Sequence, residues 1–129
     1  PRLPVKVPRA ALGTHFLPPD RRERVHAAAA NGLDVQPVPR CAAESYPRLV
    51  LGQDDVALFQ RILPWDHAAG ALFLTEAGGK ATHWDGRPYR VGGTGQGMLA
   101  AATPDLWQAA ADILLGAEAG LVDMKDISR

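Results

Sequence analysis

The residues best suited to chemistry stand together in Pro64-Trp65-Asp66-His67-Ala68-Ala69-Gly70. A mostly apolar run, Val56 to Leu63, ends at Pro64, and helical spacing begins at Asp66, which places a carboxylate between a strand end and a helix start. In an open α/β sheet that junction faces the ligand crevice. Two readings of Asp66 follow from spacing alone: it caps the helix by accepting from the free amides of the first turn, or it faces a ligand. Ala68, Ala69 and Gly70 would let the first turn approach another element more closely than a cap requires.

Other candidates are weaker. Gly92-Gly93-Thr94-Gly95-Gln96-Gly97 is glycine-rich, but a phosphate cradle follows a strand and opens a helix, whereas this run precedes a strand and reads as a surface loop. His15, His26, His67 and His83 show no metal-ligand spacing and read as surface or supporting side chains. Cys41 has no companion that would mark it as a nucleophile and reads as a small buried hydrophobe. Asp54-Asp55 reads as a solvated turn rather than a cation site.

The elements that must position these residues alternate. After a proline-rich lead-in, Ala10 to Phe16 reads as a short strand, Pro18 to Asn31 as a helix, and Leu33 to Val38 as a second strand. Cys41 to Leu51 reads as a helix that Pro47 should bend or shorten, and Val56 to Leu63 as a buried strand. The helix from Asp66 closes at Gly78-Gly79 in a left-handed cap. Lys80 to Trp84 and Tyr89 to Val91 flank Asp85-Gly86 as a hairpin, and Gln96 to Ala102 is a further strand. Thr103-Pro104-Asp105 starts a last helix with a capping hydroxyl, a proline and an early acid. The pattern predicts one α/β domain: a layered α/β/α arrangement with a central mixed sheet.

Composition narrows the partners. The 14 Lys+Arg balance 14 Asp+Glu, so bulk charge draws in neither nucleic acid nor an acidic membrane surface. One cysteine allows no internal disulfide, no apolar run reaches membrane-span length, and no secretory signal pattern opens the chain, which together predict a cytoplasmic protein. Arg outnumbers Lys 11 to 3 and Ala occurs 22 times, the bias of a GC-rich bacterial genome. The chain is 129 residues long and opens on Pro1 rather than Met, as a fragment would.

The run Trp65 to Gly70, continued by Ala71-Leu72-Phe73-Leu74-Thr75-Glu76-Ala77-Gly78-Gly79, resembles the second signature of the inositol monophosphatase family, a WDxAAG turn on a helix ending in EAGG. Asp85-Gly86 falls where that family has its following turn, and Arg40-Cys41-Ala42-Ala43 resembles its small-residue helix start. The resemblance implies a Mg²⁺-dependent phosphatase acting on a phosphate monoester of a polyol, sugar or nucleotide, with Asp66 as the metal ligand beside the leaving oxygen. It assigns Arg40, Cys41 and Ala42 to the substrate side of the site. The family's first signature, an Asp-Pro-x-Asp-Gly-Thr loop carrying most metal ligands, has no counterpart in the sequence. The resemblance therefore implies that residues 1–129 are a C-terminal domain, inactive without its N-terminal half, and that a homodimer is the expected assembly. Phe59 stands where inositol phosphatases carry an acid that binds a substrate hydroxyl, and a ring cannot accept that bond. The rival expectation is a non-catalytic binding or regulatory module that keeps the fold.

Overall fold

A computed structural model of the chain describes residues 7–14, 17–39, 42–60, 64–89 and 97–116. Its elements in chain order are β1 (Arg9–Leu12), α1 (Pro19–Ala29), β2 (Asp34–Gln36), α2 (Ala42–Val50), β3 (Val56–Phe59), α3 (Pro64–Glu76), β4 (Lys80–Thr82), β5 (Met98–Ala101) and α4 (Pro104–Leu114). The strands form one sheet in the order β2-β1-β3-β5-β4. β1 pairs parallel with β2 and β3, while β5 runs antiparallel between β3 and β4. The mixed sheet is the expected one.

Side-chain alternation splits the core in two. Ala10, Leu12, Val56, Leu58, Leu99 and Ala101 point to the face covered by α1 and α4, where they meet Val25, Ala29, Trp107, Ala110 and Leu114. Ala57 and Ala100 point the other way, to Tyr46 and Leu49 of α2 and Leu74 of α3. Register explains the sorting: Leu12 lies beside Leu58, and Leu58 beside Leu99, so residues of like facing align across the sheet. The layers are α/β/α, and helices on both faces bury the parallel part of the sheet as such strands require.

Helix ends follow local chemistry. Thr103 Oγ1 accepts from the Leu106 amide at 3.1 Å and Pro104 takes the first helical position. At the end of α3 the Gly79 amide donates to Leu74 O and the Gly78 amide to Thr75 O, with Gly78 at φ +94°, the left-handed cap expected from the paired glycines. α2 runs from Ala42 to Val50 with Pro47 inside it, giving up one backbone donor.

Several expectations change. α3 begins at Pro64, two residues before Asp66, because proline's fixed φ suits a first helical position and its missing N–H has no partner there anyway. β1 is shorter than Ala10 to Phe16: after Gly13 donates to Leu58 O, the Thr14 amide turns back to Leu12 O, and His15 and Phe16 lie outside the described residues. β3 ends at Phe59, and residues 61–63 of the expected strand are likewise outside. Among the described residues, the return arm of the expected hairpin is reduced to one bridge between Thr82 and Pro88, flanked by hydrogen bonds from the His83 amide to Arg87 O and from the Tyr89 amide to Ala81 O; Arg90 and Val91 lie outside the described residues, as does the glycine run before Gly97.

Asp54-Asp55 is not a solvated turn. Asp54 is 2% and Asp55 0% exposed. Asp55 Oδ2 accepts the Arg9 amide at 2.8 Å, and its own amide donates to Arg9 O, so the residue extends the β1–β3 contact beyond the strands. Asp54 Oδ2 accepts from Arg48 Nε at 2.9 Å. Arg9 Nη2 donates to Gly52 O. Buried carboxylates need such partners, and two arginines supply them from β1 and α2.

Candidate functional site

β1, β2 and β3 are mutually parallel, so the connections leaving β2 and β3 both emerge at the same edge of the sheet. The first leads to α2 and the second to α3. This is the carboxyl edge at which open α/β sheets present ligands. Asp66, as the third residue of α3, lies in that helix's first turn there, and Ala42 opens α2 at the same edge. The position inside the turn removes the reading of Asp66 as the residue flanking the helix. Arg40 and Cys41, the other residues assigned to the substrate side, lie outside the described residues.

Directly after Asp66 comes the polar group that sequence reasoning placed at the surface or in a supporting role. His67 is 3% exposed, and its Nδ1 shares a hydrogen bond of 2.8 Å with the Tyr46 hydroxyl of α2. Tyr46 is itself 1% exposed, and its hydroxyl also reaches Met98 Sδ at 3.6 Å. Phe59, at the end of β3, stacks on the Tyr46 ring with centroids 5.5 Å apart and meets the His67 ring edge-on at 4.7 Å. Three rings from α2, β3 and α3 therefore lock together beneath the first turn of α3. Burial, reinforced by the charge of Tyr89, pushes the Tyr46 hydroxyl above its ordinary range, so it keeps its proton at neutral pH.

Gly70 completes the contact. A Cβ built there would lie 2.5 Å from Tyr46 Cε2 and 2.7 Å from Cγ, so only glycine lets the Tyr46 ring rest against α3. The small-residue run thus has the close approach expected of it, at Gly70, whereas Ala69 is exposed. Tyr46 was not visible as a site residue in the sequence. The available signal was the glycine: an interior helical glycine is destabilising unless a neighbour needs the space.

The remaining histidines divide. His83 is buried and its Nδ1 donates to Gly97 O at 3.1 Å. His26 Nε2 and Thr14 Oγ1 share a hydrogen bond of 2.9 Å across the start of α1, and His15 lies outside the described residues. Asp85 and Arg87 pair in the turn after β4, where Arg87 Nε donates to Asp85 Oδ2 at 2.6 Å. That hydrogen bond holds the Asp85 carboxyl below its usual range.

Among the described residues no group of three or more His, Cys, Asp or Glu side chains converges to hold a metal ion, so a cation held by a lone carboxylate would need further donors. A magnesium ion accepts that donor set, since it takes one or two protein carboxylates and keeps water or phosphate oxygens for the rest. No helix among the described residues is long and apolar enough to cross a membrane.

The same arrangement of sheet and helices occurs in solved structures. The chain is similar to the inositol monophosphatase from Zymomonas mobilis with a TM-score of 0.70 and 22% identity, covering 84% of this chain and 42% of that one. Staphylococcal IMPase-II matches with a TM-score of 0.74 and 18% identity, over 91% of this chain and 46% of that one. The inositol monophosphatase from Anabaena (Nostoc) matches at 0.64 and 25% identity, over 85% and 44%. The chain thus spans less than half the length of these structures. No curated protein matches its sequence. The inositol monophosphatase family matches residues 6–117, every element described above and the Trp65-Asp66 helix among them, and the chain belongs to that family.

Proposed function

We propose that this chain is the C-terminal domain of a magnesium-dependent phosphate monoester hydrolase whose substrate is a polyol, sugar or nucleotide phosphate. The observation that carries the reading is the place of Asp66: a carboxylate in the first turn of α3, at the carboxyl edge of the parallel strands, in a chain of this family. Asp66 holds magnesium. When bound, the metal supplies charge stabilisation for the oxygen that leaves phosphorus. Arg40, Cys41 and Ala42 are the proposed substrate contacts, with Ala42 at the start of α2. Phe59 stands where inositol phosphatases carry an acid that binds a substrate hydroxyl, and its ring, engaged with Tyr46 and His67, cannot accept that bond, which disfavours myo-inositol monophosphate. The remaining metal donors and the grip on phosphate come from the family's other half, so residues 1–129 alone do not turn over. A cytoplasmic homodimer is the proposed form.

Phosphate release by the full-length protein from a panel of monoesters, with and without Mg²⁺, tests the reading. Activity that needs Mg²⁺ and disappears in Asp66→Asn supports it. A full-length protein that releases no phosphate from any monoester refutes it in favour of a non-catalytic module.

A further inference from the structure

Tyr46 carries a hydroxyl where packing alone calls for none. Its ring lies in a cluster with Leu49, Ala57, Leu74 and Ala100, which a phenylalanine would fill equally well. Burying a hydroxyl is costly unless it finds partners. This one finds them at His67 Nδ1 and Met98 Sδ, on α3 and β5. The ring stacks on Phe59 and rests against the bare Cα of Gly70. α3 is therefore gripped at His67 and Gly70, two points three residues apart on one face, by a side chain that is itself referenced to β3 and β5. Two such points fix both the rotation and the height of the first turn.

Asp66 immediately precedes the first of those points. We propose that Tyr46 is a positioning residue for Asp66: through its hydrogen bond to His67 and its ring contact with Gly70 it fixes the turn from which Asp66 reaches magnesium. The inference rests on the magnesium reading above. It also accounts for the pairing of an otherwise costly tyrosine hydroxyl with an otherwise costly helical glycine: the glycine admits the ring, and the hydroxyl keeps the ring and the turn in register.

The test is calorimetric titration of the full-length protein with Mg²⁺ alone, beside phosphate-release kinetics. Loss of a group that orients a metal ligand typically weakens metal affinity by 10–100-fold. Because Tyr46 acts through the backbone, Tyr46→Phe is expected at the lower end, with about tenfold weaker Mg²⁺ binding and an unchanged KM for the ester at saturating Mg²⁺. His67→Asn, which keeps a polar atom near the Nδ1 position, should stay within about twofold of wild type, and His67→Leu should fall with Tyr46→Phe. A merely structural role predicts lower thermal stability in all three and equal Mg²⁺ affinity. If Asp66→Asn abolishes Mg²⁺ binding while Tyr46→Phe binds like wild type, the positioning role is overturned and the functional reading stands. If Asp66→Asn binds Mg²⁺ normally, both fall. Should Tyr46→Phe fail to fold, the pair His67→Asn and His67→Leu decides alone, and equal affinities in the two overturn the proposal.

Discussion

Replacing Gly70 by alanine sets two effects of opposite sign against each other. In an ordinary helix interior the change stabilises by about 1 kcal/mol, since alanine loses less backbone entropy. Here the new methyl would stand 2.7 Å from Tyr46 Cγ and 2.5 Å from Cε2. The atom nearest the tyrosine's own backbone is among those hit, so a small swing of the ring tip gives no relief. Phe59 stacks on the same ring and His67 holds its hydroxyl, which closes the other escapes. Overpacking of this kind costs about 1–3 kcal/mol, and a ring pinned this way belongs in the upper part of that range. Gly70→Ala should therefore destabilise by about 1–2 kcal/mol, or about 4–8 °C in melting temperature for a domain of this size. Urea unfolding followed by tryptophan fluorescence measures it. The decisive control is the same substitution in a Tyr46→Ala background, where the space is open and Gly70→Ala should stabilise, giving a coupling of about 2–3 kcal/mol between the two sites. Stabilisation by about 1 kcal/mol in both backgrounds would show that the Tyr46 ring does not rest on α3, and the reasoning would fail.

Other expectations are simpler. Thr103→Ala removes the acceptor of the Leu106 amide and should cost about 1 kcal/mol in urea unfolding, whereas Thr103→Ser should cost less than half of that. Leu99→Ala, in the middle of the sheet and fully buried, should cost about 2–5 kcal/mol and be the harshest of these changes in a thermal melt. Tyr46 has its hydroxyl pushed up by burial, so above pH 10 the unfolded chain loses a proton that the folded one keeps; this residue should then lower stability with pH by up to about 1.4 kcal/mol per unit, a contribution that Tyr46→Phe removes while that of Tyr89, also pushed up by burial, remains. Asp85, held low by Arg87, contributes above about pH 4 and loses its contribution as pH falls through its lowered value. With Arg87 72% exposed, the pair is heavily screened by water, so Asp85→Asn should lie only slightly below wild type in stability at pH 7 and converge with it as pH falls through the lowered carboxyl value.

The sequence carried the layers well because periodicity and caps are local. Thr103-Pro104-Asp105, Gly78-Gly79 and the buried run from Val56 each name a boundary or a face without reference to the rest of the chain. Asp54 and Asp55 were misread for the opposite reason: two adjacent acids look like a turn until Arg9, 46 residues away from Asp55, is brought to them by the sheet. His67 suffered the same way, since its partner Tyr46 lies 21 residues upstream on another helix. At the candidate site, the Trp65-Asp66 signature falls at the start of α3, but what holds that helix is a tertiary contact announced only by a missing methyl at Gly70.

Among the described residues, both edges of the sheet run into prolines. β2 is three residues long and gives way to Pro37-Val38-Pro39, while the segment beside β4 meets it at Pro88. A free strand edge is a template on which another chain can hydrogen-bond, and proline, with no amide hydrogen, cannot continue such a ladder. The exposed carboxylate of Asp34 adds repulsion along β2 between identical copies. A sheet guarded in this way is resistant to edge-to-edge aggregation, so copies of this domain can be concentrated without the strands themselves becoming the adhesive.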